Sequence, residues 1–210
     1  MTDAVTTSIA TVADIDELHE FMLSDFLHEQ SLSAAINLTR EQASPIYREF
    51  IEHCAPSGVT TIQRNSGGNV IGFNLCSLVR HGEEEDESDS SASVGPIGKL
   101  LGVLNANKWE LIPKVGDKLL YVEVLSVDER YRGRGLAQKL LELSYERARL
   151  LGVSGAFAEC TSIASQKLFA KTGYQVLREI RLHEFLGDDG KRVFVCPDGT
   201  NTAQLVFKNI

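Results

Sequence analysis

The sequence predicts an α/β or α+β fold, a single sheet covered by helices, and three observations carry that reading. Apolar runs of strand length alternate with segments of helical periodicity along the chain. One of the runs, LLYVEVLSV at 119–127, is apolar on both faces apart from Glu123 and Ser126, as a central strand covered on both sides must be. Finally, 210 residues, 43% of them apolar and 24% charged, suffice for one sizeable core. The chain, 1–210, is therefore expected to form one domain, and disorder of the whole is excluded.

The elements follow in order. A short strand candidate occupies 5–9, and Thr11 can cap a helix running to about Phe26, with Ile15, Leu18, Met22 and Phe26 at helical spacing. Thr39 and Gln42 have the spacing of a capping box for a second helix that ends near Cys54, before Pro56. The runs 59–63 and 70–79 flank Asn65-Ser66-Gly67-Gly68-Asn69, residues that tolerate positive φ, and read as a hairpin. Residues 82–95 are Glu, Asp and Ser with hardly an apolar side chain, so burial cannot offset their ordering entropy and a mobile loop is expected. A weakly periodic helix at 96–112 would lie across one end of the sheet, ahead of the central strand 119–127. Leu136, Leu140, Leu143 and Arg147, followed by Leu151, then form a helical stripe that Gly152 ends. A second buried strand spans 155–159, and Thr161 or Ser162 starts a helix through Lys171, closed by Gly173. The runs 174–183 and 202–208 make a last antiparallel pair.

Composition excludes several functions. No run of eighteen apolar residues occurs, and residues 1–9 lack the basic start and apolar stretch of a secretory leader, so a cytoplasmic protein without membrane contact is expected. Cys54, Cys76, Cys160 and Cys196 include no CxxC pair and are expected to be reduced thiols. His19, His28, His53, His81 and His183 show no HxH or HExxH spacing, so no metal is expected. The net charge of −8 argues against a nucleic-acid partner. Six of the acids, Glu83, Glu84, Glu85, Asp86, Glu87 and Asp89, fall in the loop, and without them the charge drops from −8 to −2. That balance permits a cationic substrate without demonstrating one.

The segment that carries chemistry is 122–137, VEVLSVDERYRGRGLA. A buried strand runs into a short loop holding Arg130, Arg132, Gly133, Arg134 and Gly135, and a leucine-striped helix begins at once. Such glycines let successive backbone N–H groups turn toward one point, and a helix N-terminus adds partial positive charge, which suits a pyrophosphate. A plain tight turn is the bland alternative. GRGLAQ lacks the third glycine of GxGxxG and no GK[ST] occurs, whereas R-x-x-G-x-G fits Arg130 to Gly135.

Strand, RxxGxG loop, helix and strand, followed by CTSIASQKLFAKTGY at 160–174, resemble motifs A and B of the GCN5-related N-acetyltransferase (GNAT) superfamily. Within it, SVDERYRGRGLA, the Cys-Thr-Ser start of the next helix, FLHEQSLS at 26–33 and the long insertion before the central strand resemble the insect-type arylalkylamine N-acetyltransferases. The resemblance implies a mixed, mostly antiparallel seven-stranded sheet splayed at its centre, helices on both faces, and acetyl-CoA as cosubstrate. It places Leu125, Ser126 and Val127 against the acetyl and pantetheine portion and the amides of Arg130, Arg132, Gly133, Arg134, Gly135, Leu136 and Ala137 on the pyrophosphate. Ser165 touches the pantetheine arm. Glu29 matches a general base, commonly acting through water, which an alkylamine requires because it is mostly ammonium at neutral pH.

Two departures stand out. Phe169 occupies the position where many members carry a tyrosine general acid, and Thr161 and Ser165 match two serines assigned to this region in insect-type enzymes. Capping by Thr161 competes with the acid role, and a thiol of pKa about 8.5 can also leave as thiolate unaided. The expected function is acetyl transfer to the primary amine of a small arylalkylamine by direct attack in a ternary complex, by a monomer. Polyamines or protein amino groups as acceptors, and a catalytically idle acyl-CoA-binding module, remain as alternatives.

Overall fold

The computed structural model describes residues 4–82, 95–187 and 189–210. The hairpin read from the sequence is β2 (Thr61–Arg64) and β3 (Val70–Arg80), and Asn65 Oδ1 ties its turn by accepting from the Gly67 and Asn69 amides at 3.0 and 3.1 Å. With β1 (Thr6–Ile9), β4 (Lys118–Val127), β5 (Gly155–Cys160), β6 (Gln175–Arg181) and β7 (Thr202–Asn209) these strands form one seven-stranded sheet in the order β1-β2-β3-β4-β5-β7-β6. Every neighbouring pair is antiparallel except β4 with β5.

The parallel pair is short. Leu120, Tyr121 and Val122 face Ala156, Phe157 and Ala158, after which β4 runs on to Val127 and β5 to Cys160 without pairing to each other. On its other side β4 stays bonded to β3 as far as Val127, which faces Gly72. The register slips where Leu75 faces Val124 and Cys76 faces Val122, leaving Glu123 as a bulged extra residue beside the opening gap.

Helices cover both faces, as the apolar character of β4 requires. On one face α7 (Leu136–Leu150) and α8 (Ile163–Lys171) bury Leu141, Tyr145, Ala148 and Phe169 against Leu120, Val122, Ala156 and Ala158. On the other, α1 (Ile15–Phe21) and α4 (Arg40–Cys54) set Leu18, Phe21, Tyr47 and Ile51 against Phe73, Leu75 and Val124. There α5 (Gly95–Asn105) also packs Leu100 and Leu104 on Leu119, Phe157 and Phe207.

Two helices differ from the sequence reading. The first helix passes Phe26: after a 3-10 turn capped by Thr11 and after α1, a π-helical turn spans Met22–Phe26 and α2 (Leu27–Glu29) completes it. It stops where Gln30 turns extended, with ψ of 116°, before α3 (Ser31–Ala35). The helix expected over 96–112 is two, α5 and α6 (Lys108–Leu111), because Asn107 is left-handed with φ of 52°. The expected acidic loop lies outside the described residues apart from Gly82 and Gly95.

Gly155 starts β5 where nothing larger fits: an added Cβ would lie 2.7 Å from Val115 Cγ2, 2.8 Å from Leu119 Cδ2 and 2.9 Å from Phe207 Cε2. Gly155→Ala is expected to overpack this site and lower stability by about 1–3 kcal/mol, read as a reduced denaturation midpoint.

Candidate active site

Backbone alternation decides what faces the gap. Asp128 donates its N–H to Ile71 O at 2.9 Å, so Ser126, two residues back, also turns its backbone toward β3. Leu125 and Val127 consequently turn their backbone groups toward the gap, an open strand edge that seeks hydrogen-bond partners.

The loop that follows is built on Asp128. Its carboxylate accepts the Arg130 amide at 2.9 Å, caps the 3-10 turn Glu129–Tyr131, and grips the Arg130 guanidinium through Nε at 3.0 Å and through Nη2. Arg130 holds the Asp128 carboxyl below the usual aspartate range. The side chain of Arg130 is thereby engaged within the loop, and it is Arg132 that lines the cleft. Gly133 and Gly135 adopt φ of 75° and 74°, the left-handed region, and α7 begins with no side chain capping its first amides. The N–H of Lys139 is the one that bonds back to Gly135 O, at 3.2 Å. A cleft of about 190 Å³ opens at this helix end, lined by Val127, Arg132, Gly133, Gly135, Ala137 and Lys171 among others. Open amides, the helix dipole, an arginine and a lysine converge there as an anion site requires.

Arg132 links that site to Glu29. Its Nε donates to Val127 O at 3.0 Å and its Nη2 donates to the Glu29 carboxylate at the end of α2. Burial raises the Glu29 pKa above that of an ordinary glutamate, and the Arg132 charge opposes the rise.

Across the gap, Thr161 follows the last residue of β5 and accepts a hydrogen bond from Gln30 Nε2 at 3.2 Å. Thr161 does not cap the next helix: Ser162 does, in a capping box with Ser165, because Ser162 Oγ rather than the threonine hydroxyl receives the Ser165 amide, at 3.1 Å. The Ser165 hydroxyl accepts the Ser162 amide at 3.2 Å and donates to Ser162 O at 2.9 Å. Phe169 is buried edge-on against Tyr174, ring centroids 4.7 Å apart. Burial pushes the Cys160 thiol far up, so it is no ready nucleophile.

Sequence reading missed the parts that hold this geometry. Asp128 was legible in principle, as an aspartate two residues before a turn amide. Gln30 was not, nor was the Asp198 carboxylate, which accepts from Ser31 Oγ at 2.8 Å and from Thr200 Oγ1 at 2.7 Å while Thr200 receives the Ile163 amide at 3.0 Å. These contacts join segments remote in sequence and leave no local pattern.

Residues 24–174 match the model of the acetyltransferase (GNAT) family. The chain belongs to the GNAT family. It is an acetyltransferase with acetyl-CoA as cosubstrate. Its fold is similar to that of arylalkylamine N-acetyltransferase 2 from Aedes aegypti (TM-score 0.87, 24% identity, 98% of this chain and 99% of that one). It is also similar to the polyamine N-acetyltransferase of Drosophila melanogaster, which catalyzes formation of N-acetylagmatine (0.83, 23%, 99% and 100%). An agmatine N-acetyltransferase matches at 0.83 and 22% identity, over 98% of this chain and 99% of that one. The splayed sheet of this GNAT enzyme and the amides at the start of α7 fit the elongated, anionic cosubstrate. No helix among the described residues is long and apolar enough to cross a membrane, and these residues contain no cluster of metal-ligating side chains.

The depressed Asp128 pKa fixes a sign. The stability it contributes is complete above the ordinary aspartate value of about 3.9 and is lost as the pH falls through the lower folded value. Asp128→Asn removes that contribution, so the wild-type advantage in denaturation midpoint should be full near pH 6 and shrink as the pH falls below about 4.

Proposed function

We propose that this enzyme acetylates the primary amine of a small arylalkylamine by direct attack in a ternary complex. The observation that carries the catalytic part is the placing of a half-buried carboxylate, Glu29, against the cosubstrate loop through Arg132. Backbone groups of Leu125 and Val127, with Ser126 between them, take the pantetheine side. The amides of Gly133, Gly135, Leu136 and Ala137, with Arg132 and Arg134 and the backbone of Arg130, take the pyrophosphate. Thr161 and Ser165 flank the gap from the β5 side.

The amine arrives as ammonium, and Glu29 removes a proton directly or through water. A carboxyl with a raised pKa holds that proton better than an exposed one while Arg132 keeps it ionisable. The buried Cys160 thiol supports direct attack over a covalent enzyme intermediate. For an aryl acceptor, the support is the likeness in fold to the arylalkylamine N-acetyltransferase 2 of Aedes aegypti.

A second reading, a polyamine or guanidinium acceptor, is favoured by two carboxylates at the root of the gap. Glu123 is the bulged residue, and Glu159 accepts from the Tyr121 hydroxyl at 2.7 Å. Thiol release from acetyl-CoA over a panel of phenyl- and indole-ethylamines, diamines and peptides separates the readings. Highest kcat/KM for diamines would replace the arylalkylamine by the second class.

Two substitutions test the site. Gly133→Val forces a branched side chain into the left-handed region, at a cost of about 1–2 kcal/mol, and Arg132→Glu adds repulsion. Both should weaken acetyl-CoA binding in titration calorimetry with the fold retained, and unchanged affinity in both removes the anion assignment. Glu29→Gln keeps the shape but takes up no proton, so kcat should fall roughly 10²-fold or more while acetyl-CoA affinity barely changes. The deficit should shrink as pH rises and the amine arrives deprotonated. Near-normal turnover at neutral pH would make Glu29 a structural carboxylate.

A further inference from the structure

Gln30 joins α2 to α3 and uses both ends of its side-chain amide. As the N-cap of α3 it accepts the Ser33 N–H on Oε1 at 2.5 Å. That bond fixes which end is oxygen, so the group facing Thr161 is the NH2, donating to Oγ1 at 3.2 Å. An amide NH2 accepts nothing, so the Thr161 hydroxyl must send its own hydrogen elsewhere, and among the described residues no hydrogen bond uses it. Ser165 differs: its hydroxyl has Ser162 O at 2.9 Å and Ser162 Oγ at 3.0 Å, partners within the helix start that engage it. Of the two hydroxyls beside the gap, then, Thr161 alone has a proton to offer. The choice of cap points the same way. Asn, Asp or Ser caps a helix better than Gln does, but none is long enough both to cap α3 and to reach Thr161.

We propose that Gln30 is a positioning residue that orients the Thr161 hydroxyl to donate a hydrogen bond to the coenzyme A sulfur as the thioester breaks. This rests on the acetyl-transfer chemistry above. As the amine nitrogen forms the C–N bond, the C–S bond breaks and its electron pair stays on sulfur, while the acetylated nitrogen gives its surplus proton to water. An alcohol is a far weaker acid than a thiol of pKa about 8.5, so Thr161 keeps its proton. It stabilises the developing thiolate by a charge-assisted hydrogen bond, and the sulfur is protonated afterwards from water. Phe169, which has no hydroxyl, leaves this task to Thr161.

The test is a double-mutant cycle on the whole enzyme, read as kcat, KM for acetyl-CoA and thermal midpoint. Thr161→Val should lower kcat about 10- to 100-fold with KM for acetyl-CoA nearly unchanged, and Thr161→Ser should restore it. Gln30→Glu is isosteric and keeps the Ser33 cap, but it presents an acceptor to Thr161 and draws the hydroxyl hydrogen away from the gap. Its kcat should fall as far as that of Thr161→Val, and the double variant should be no worse than Thr161→Val alone. Gln30→Asn, a strong cap too short to reach Thr161, carries the comparison should Gln30→Glu fail to fold, and it should fall in kcat without loss of midpoint. Additive losses, wild-type kcat in the Gln30 variants, or wild-type kcat in Thr161→Val would each overturn the proposal while leaving acetyl transfer intact. A wild-type enzyme that released no thiol with any amine would instead overturn the chemistry on which both rest.

Discussion

The structure depends on the brevity of the β4–β5 pairing. Nine residue pairs bind β4 to β3, from Gly72 to Arg80, and three bind it to β5. The stronger ladder holds β4 in line to Val127 while β5 departs, so the backbone of Leu125 and Val127 meets no strand. An unpartnered edge inside a sheet is costly, and the structure answers it with a side chain: Arg132 Nε takes the Val127 carbonyl. The same gap that would be a defect in an ordinary sheet is the groove proposed above for a long, amide-bearing cosubstrate.

A groove is useful only if its anion end is fixed, and buried polar contacts do that. Gln63 Nε2 donates to Leu136 O at 3.0 Å, Asn74 Nδ2 donates to Ser144 Oγ at 2.9 Å, and Thr61 Oγ1 donates to Leu140 O at 3.1 Å. All six residues except Leu136 are fully enclosed, and Leu136 is nearly so. Hydrogen bonds in such surroundings are expensive to break, which pins the start of α7 to β2 and β3 more firmly than apolar packing alone. The glycines can then take left-handed conformations without the loop wandering, because Asp128 on one side and α7 on the other are both anchored.

The mouth of the gap is tied in the same manner. Asp198 and Thr200, from the segment before β7, join Ser31 at the start of α3 to Ile163 at the start of α8, and Gln30 joins the same helix start to Thr161. Glu29 is the neighbour of Gln30, so the carboxylate and the hydroxyl are set by one short break between helices. Arg132 connects that break to the cosubstrate loop, and the groups proposed for proton removal, anion binding and thiolate stabilisation form one connected set of contacts.

Much of this was legible in the sequence, and the physical reason separates it from what was not. Hydrophobic period, the capping box of Thr39 and Gln42, the Asn-Ser-Gly-Gly-Asn turn and the glycines before Leu136 are local signals, expressed over a few residues whatever the rest of the chain does. They determined the order of elements, the central strand, the hairpin and the glycine turn ahead of α7. The end of the first helix, the break at Asn107 and the choice of Ser162 over Thr161 as the α8 cap turned on single backbone conformations that propensity does not decide. The roles within the site lay further out of reach. Arg132 meets Glu29 across 103 positions and Gln30 meets Thr161 across 131, so which arginine faces the cleft and which hydroxyl keeps a free proton were decided by tertiary packing alone.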